Sequence, residues 1–166
     1  MRLFVAIPVS ETVRAVLRGL QEDLKRQGMT GNFTKEENFH ITLAFIGEYP
    51  DPQAVLDVMN TIPFASSAGY ELRLKGYGSF GDIWWVGTEK CPALEDDVRR
   101  LRHALAEAEI PFDRKAFRAH LTLVREARSL LSSLPVLKIP DTVQHVDHIA
   151  LMRSERGKNG MIYTEL

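Results

Sequence analysis

Two histidines, 80 residues apart, open the same four-residue pattern: His40-Ile41-Thr42-Leu43 and His120-Leu121-Thr122-Leu123. The chain has only five histidines, so a repeated match is hard to assign to chance. In an extended strand, residues two apart share a face and lie about 6.6 Å apart along the chain. Each pattern therefore presents an imidazole beside a hydroxyl. Two such pairs across one cleft supply two proton-transfer groups, which titrate near neutrality, and two hydrogen-bond donors suited to a phosphate.

The elements around the histidines repeat as well. Arg2–Pro8 reads as a buried or half-buried strand, and so does Asp82–Thr88. A helical stripe follows each: Val13, Val16, Leu17, Leu20 and Leu24 in the first, and Leu94, Val98, Leu101, Leu105 and Ala108 in the second. Ser10 is placed to cap the first helix and Gly28 to end it. Pro92 opens the second and Pro111 closes it. The histidine strand comes third in each copy. The pattern is an internal duplication of strand-helix-strand, not a short-period solenoid.

Further along, Asp51-Pro52 starts a short helix with Val55, Leu56, Met59 and Ile62 on its apolar face. Glu71–Lys75 alternates as a half-exposed strand, and Gly76–Gly81 reads as a glycine-rich turn between the halves. That stretch matches no nucleotide-binding glycine fingerprint, because a strand follows it. Ala127, Leu130, Leu131 and Leu134 predict one more short helix. Val143–Ser154 and Met161–Leu166 read as two strands joined by the turn at Arg156–Gly160.

Composition sets the outer limits. A chain of 166 residues, 45% hydrophobic and 26% charged, fits one globular domain with an adequate core. A net charge of -1 argues against broad capture of duplex nucleic acid, while a phosphate site needs only local positive charge. Cys91 is the only cysteine, so no intramolecular disulfide forms, which suits a reducing compartment. No apolar run approaches the roughly 20 residues of a membrane span. The expectation is a cytoplasmic protein without a membrane partner, working as a monomer.

The residues resemble a known family, the 2H phosphoesterases, and within them the bacterial and archaeal RNA 2′,3′-cyclic phosphodiesterases, historically called 2′-5′ RNA ligases. Arg2–Ile7 is similar to that group's first strand, Asn38–Gly47 to its first histidine motif and Phe117–Arg125 to its second. Leu151–Ser154, with Gly160 and Tyr163, also fits. Ala119 departs from the family, which often has proline there; no reacting group is lost. The resemblance implies an α+β fold, two-lobed and pseudo-twofold, with mainly antiparallel sheets lining a central groove. The expectation is one domain over 1–166, with halves of about 1–75 and 76–166.

It also implies hydrolysis of RNA 2′,3′-cyclic phosphodiester ends to 2′-phosphomonoesters, with His40 as the proton donor to O3′ and His120 as the acceptor from water. Thr42 and Thr122 would hold the non-bridging oxygens. The two motifs alone do not order the acid and base roles. Arg125 is the natural phosphate partner, yet it lies five residues after His120, so strict alternation turns it away unless a bulge or the strand's end re-aims it. Phe45, its counterpart, belongs in the core by the same parity, whereas the resemblance implies stacking on a base.

Blander readings apply elsewhere. His103 falls on the polar side of its helix. His145 and His148 flank Asp147, a weak basis for a metal site, and no HExxH, paired CxxC or carboxylate cluster supports one. Catalysis without metal or cofactor is expected. Adjacent Trp84 and Trp85 must face opposite sides of a strand. Arg114, Lys115, Arg118, Arg125 and Arg128 gather around the second motif and could guide an RNA backbone. Alternative readings are 2′-5′ RNA ligation by the reverse reaction, hydrolysis of other 2′-5′ or small cyclic nucleotides, and a non-catalytic RNA-end binding module.

Overall fold

The structure, a computed structural model, describes residues 1–64 and 69–166. Among these residues, nine strands form two antiparallel sheets. In chain order they are β1 (Arg2–Pro8), β2 (Met29–Phe33), β3 (His40–Glu48), β4 (Tyr70–Phe80), β5 (Ile83–Thr88), β6 (His120–Ser129), β7 (Val143–Val146), β8 (Ala150–Gly157) and β9 (Gly160–Glu165). Three helices, α1 (Glu11–Arg26), α2 (Pro52–Asn60) and α3 (Pro92–Glu107), complete the α+β fold. The first sheet has the order β3-β1-β8-β9 and the second β2-β6-β5-β4-β7.

The helices form where periodicity and end signals coincide. Ser10 Oγ accepts from the Val13 amide at the start of α1, and Val13, Leu17, Leu20 and Leu24 are buried along its inner face. Each such side chain stabilises the fold by roughly 1.5–3 kcal/mol relative to exposure. Asp51 caps α2 through the Ala54 amide, and Pro92 occupies the first turn of α3.

The pairing crosses the division of the sequence at residues 75 and 76. β2, from the first half, pairs with β6, while β8, from the second, pairs with β1. The helices cross too: α1 packs against β2 and β6, and α3 against β3. The two histidine strands, β3 and β6, belong to different sheets and touch each other. The repeated units are interlocked, each completing the other's layer.

Three local readings change. The short helix expected at Ala127–Leu134 is absent: β6 continues to Ser129 because β2 supplies a partner, with Met29 opposite Ser129. Leu130, Leu131 and Leu134 are exposed, so no core rewards a helical stripe there. The glycine-rich stretch is strand as far as Phe80, and the turn is confined to Gly81-Asp82. Val143–Ser154 is two strands in different sheets, because β7 pairs with β4 and β8 with β1.

Candidate active site

The site is built on a device present in both histidine strands. Opposite β1, Val5 faces Ala44 and Ala6 faces Thr42, so Leu43 is an extra residue in β3. Opposite β5, Trp84 faces Val124 and Trp85 faces Thr122, so Leu123 is an extra residue in β6. These equivalent bulges put two consecutive residues into the core, Leu43 with Ala44 and Leu123 with Val124. Beyond each bulge the alternation restarts one residue out of step. Phe45 and Arg125 therefore return to the face that carries His40, Thr42, His120 and Thr122. The parity objection to Arg125 fails for this reason. Phe45 is half-buried, pairs with Phe4 across the β1–β3 ladder and lies 5.0 Å beneath the Arg2 guanidinium.

The carbonyl at each bulge accepts from a helix side chain; that of Leu123 also accepts from the Thr34 amide at 3.0 Å. Gln21 of α1, itself buried, donates from Nε2 to the Leu123 carbonyl (3.0 Å) and the Thr34 carbonyl (2.8 Å). Arg102 of α3 donates from Nε to the Leu43 carbonyl (3.1 Å) and from Nη1 to the Lys115 carbonyl (2.7 Å). Sequence reasoning passed over both residues. Gln21 was detectable as a polar side chain on the buried stripe of α1; Arg102, beside Leu101, carried a fainter form of that signal.

The two imidazoles are held alike. His40 Nδ1 lies 2.7 Å from the Asn38 carbonyl and His120 Nδ1 lies 2.7 Å from the Arg118 carbonyl. A carbonyl only accepts, so each Nδ1 carries the proton and each Nε2 is left for chemistry. His40 Nε2 accepts from the Thr42 hydroxyl at 2.8 Å. Aromatic rings bracket both histidines: Phe4 and Tyr163 for His40 at 4.8 and 5.3 Å, Phe80 and Trp85 for His120 at 5.3 and 6.2 Å.

Residues from both sheets converge here. His40 of the first, with Thr122 and Arg125 of the second, lines a narrow cavity of about 20 Å³ that Thr34, Asn38 and Tyr163 complete. Asn38 is buried and donates from Nδ2 to the Met161 carbonyl at 2.9 Å, which ties β9 to the histidine motif. Burial, then the charges of Arg125 and His120, push the His40 pKa down to about 4, against a raising effect from the Asn38 carbonyl. Burial first, then Arg125 and Arg118, also lowers His120. Both imidazoles thus respond to the charge of Arg125. Neutral histidines beside a guanidinium form a site that favours an anion.

Among the described residues, no group of three or more His, Cys, Asp or Glu is arranged to hold a metal, and no helix is long and apolar enough to cross a membrane. His148 Nδ1 instead contacts the Asp147 carboxylate at 2.7 Å, and His103 is exposed. Trp84 and Trp85 take opposite faces, with Trp85 buried beside His120.

The two sheets and paired His-x-Thr strands define a phosphoesterase architecture. The model of LigT-like phosphoesterases matches residues 7–84. A Thermotoga maritima RNA 2′,3′-cyclic phosphodiesterase is 30% identical over 75% of this chain and 70% of its own length. One from Aquifex aeolicus is 28% identical over 99% and 94%. One from Geobacillus stearothermophilus is 29% identical over 93% of this chain, which spans only about half (52%) of that relative. A solved Thermus thermophilus structure superposes with a TM-score of 0.78 at 28% identity, covering 100% of this chain and 95% of its own. Escherichia coli LigT does so at 0.79 and 24%, covering 99% and 94%. The chain belongs to the LigT-like phosphoesterases.

Proposed function

We propose that this protein hydrolyses RNA 2′,3′-cyclic phosphodiester ends to 2′-phosphomonoester ends, with His40 as the general acid and His120 as the general base. The observation that carries the reading is the matched pair of histidines, each fixed as the Nδ1–H tautomer by the carbonyl two residues earlier, around one guanidinium. Relatives named RNA 2′,3′-cyclic phosphodiesterase that align along most of the chain support it.

His120 Nε2 takes a proton from water as the water oxygen attacks phosphorus. The P–O3′ bond breaks, and His40 Nε2–H protonates the departing O3′. Each such group contributes typically ~10²–10⁴-fold. Arg125 and Thr122 hold the non-bridging oxygens as charge builds on them. Phe45, on the same face, offers a surface for the terminal base.

Thr42 has a conditional part. While His40 is neutral, the Thr42 hydroxyl donates to its Nε2. Once Nε2 is protonated it no longer accepts, and both groups donate outward. An arriving phosphodiester anion therefore selects the state with an acid and a free hydroxyl aimed at it. Every group in this scheme comes from one chain, so a monomer suffices, and a single cysteine suits the cytoplasm.

The test is product analysis on an RNA oligonucleotide ending in a 2′,3′-cyclic phosphate, with EDTA present, for wild type, His40→Ala and His120→Ala. A 2′-phosphate end formed by wild type and lost in both variants is the expected result. A 3′-phosphate would reverse the leaving-group assignment. Tight RNA binding without turnover would replace the enzyme with a binding module.

A further inference from the structure

We infer that the protein carries a second nucleotide subsite, for the residue preceding the cyclic-phosphate nucleotide, in the cavity beside Arg118 and Trp85; the inference rests on the RNA-end reading above. That cavity measures about 290 Å³, against about 20 Å³ at the phosphate site. Small-molecule sites commonly begin near ~300 Å³. The space on the other flank, beside Lys35 and Asn159, is about 100 Å³ and too small for a nucleotide.

Its position follows from register. Gly87 pairs with His120 and Trp85 with Thr122, so two of its walls share the face that carries the second motif. Arg118 and Ala119, also lining it, lead directly into His120. The cavity therefore adjoins the second motif, where the nucleotide joined to the terminal O5′ can be seated while the terminal base lies on Phe45.

The lining suits a nucleotide. The Arg118 guanidinium lies 4.6 Å over the Trp85 indole, and a base can stack on the outer face of that planar cation. Lys75 and Lys90 border the same space with Arg118, so cations outnumber the two carboxylates there, Glu89 and Glu95. One internucleotide phosphate needs no more. Trp85, only 5% exposed, forms a buried wall beneath that guanidinium. Gly78 and Gly87 keep the indole in place: a Cβ would fall 2.8 Å from the ring at Gly78 and 3.3 Å from it at Gly87.

Two measurements test the subsite. The first compares kcat/KM for a mononucleotide 2′,3′-cyclic phosphate with that for a dinucleotide and a trinucleotide bearing the same end. A gain of about tenfold at the second nucleotide and little at the third is expected. The variant K75E/K90E should abolish that gain while leaving mononucleotide turnover unchanged. The second uses Cys91, the only cysteine, which lines the cavity. A dinucleotide 2′-phosphate should slow its alkylation by iodoacetamide several-fold, whereas a mononucleotide 2′-phosphate should not. Equal turnover of mono- and dinucleotide with unprotected Cys91 overturns the subsite and leaves the RNA-end reading standing. No turnover of any cyclic phosphate overturns that reading, and Cys91 protection then decides the cavity on its own.

Discussion

The carbonyls of Asn38 and Arg118 accept the Nδ1 protons of His40 and His120, so protonation in the groove takes place at Nε2. In the unliganded protein His40 is held near 4 and His120 below its ordinary value. The proposed reaction needs one imidazole charged and the other neutral. Above both pKa values the fraction in that state falls tenfold for each pH unit. kcat/KM for a short cyclic phosphate should therefore decline about tenfold per unit above pH 6.5. A flat profile from pH 6.5 to 8.5 would contradict the depressed values. Stability moves the other way. An unfolded His40 takes up a proton near 6.5 whereas the folded one resists until about 4, so nothing is lost above 6.5 and stability falls as pH drops through that window. At pH 5 the difference is about 2 kcal/mol. Urea titrations at pH 7 and pH 5 should show wild type losing about that much more than His40→Asn.

At the scale of elements, the bulges at Leu43 and Leu123 decide what the site contains. Gln21 ties the second of them to Thr34 by donating to both carbonyls, so Gln21→Met should lower kcat/KM about tenfold by misdirecting Arg125. In an Arg125→Ala background the same change should do far less; full additivity would show that Gln21 acts elsewhere. Gly78 supports the other side of the groove. Gly78→Val drives a side chain into the Trp85 indole and should cost about 1–3 kcal/mol in thermal unfolding, with Gly19→Val, in open space on α1, as the comparison without a clash. Here the sequence was only partly legible. The repeated His-x-Thr pairs, the stripe of α1 with its Ser10 cap, and the stripe of α3 from Leu94 to Leu105 with its opening Pro92 were visible, because periodicity and end residues are local. Ala108, read as the end of that stripe, is exposed just past the helix. The extra residues in β3 and β6 were not. A bulge exists only relative to the neighbouring strand, and Leu-Ala or Leu-Val reads as ordinary strand either way. The expected helix at Ala127–Leu134 failed for the same reason, since β2 as a partner for β6 could not be seen in the local pattern.

Across the whole molecule, each sheet takes strands from both halves and each larger helix packs on the sheet opposite its own first strand. Neither 1–75 nor 76–166 contains a complete layer. Expressed separately, neither half should give a cooperative thermal transition, and the intact chain should give one. Both tryptophans lie on β5 in the second sheet, whereas far-UV circular dichroism averages over both sheets and all helices. Coincident fluorescence and dichroism curves in urea are the expected outcome. Separated midpoints would mean that the sheets unfold independently.

The same interlocking sets a timetable for synthesis. β1 is made well before β8, its partner in the sheet, while Tyr163 must exist before it can pack on His40. The Asn38 side chain likewise waits for Met161. On the ribosome, then, the first histidine motif emerges long before its surroundings do, and the edge of β1 that β8 will cover stays open meanwhile. Contacts this distant along a chain are closed late and slowly. The groove is thus a product of the final stage of folding, and a partly made chain exposes an unpaired strand edge without a finished site behind it.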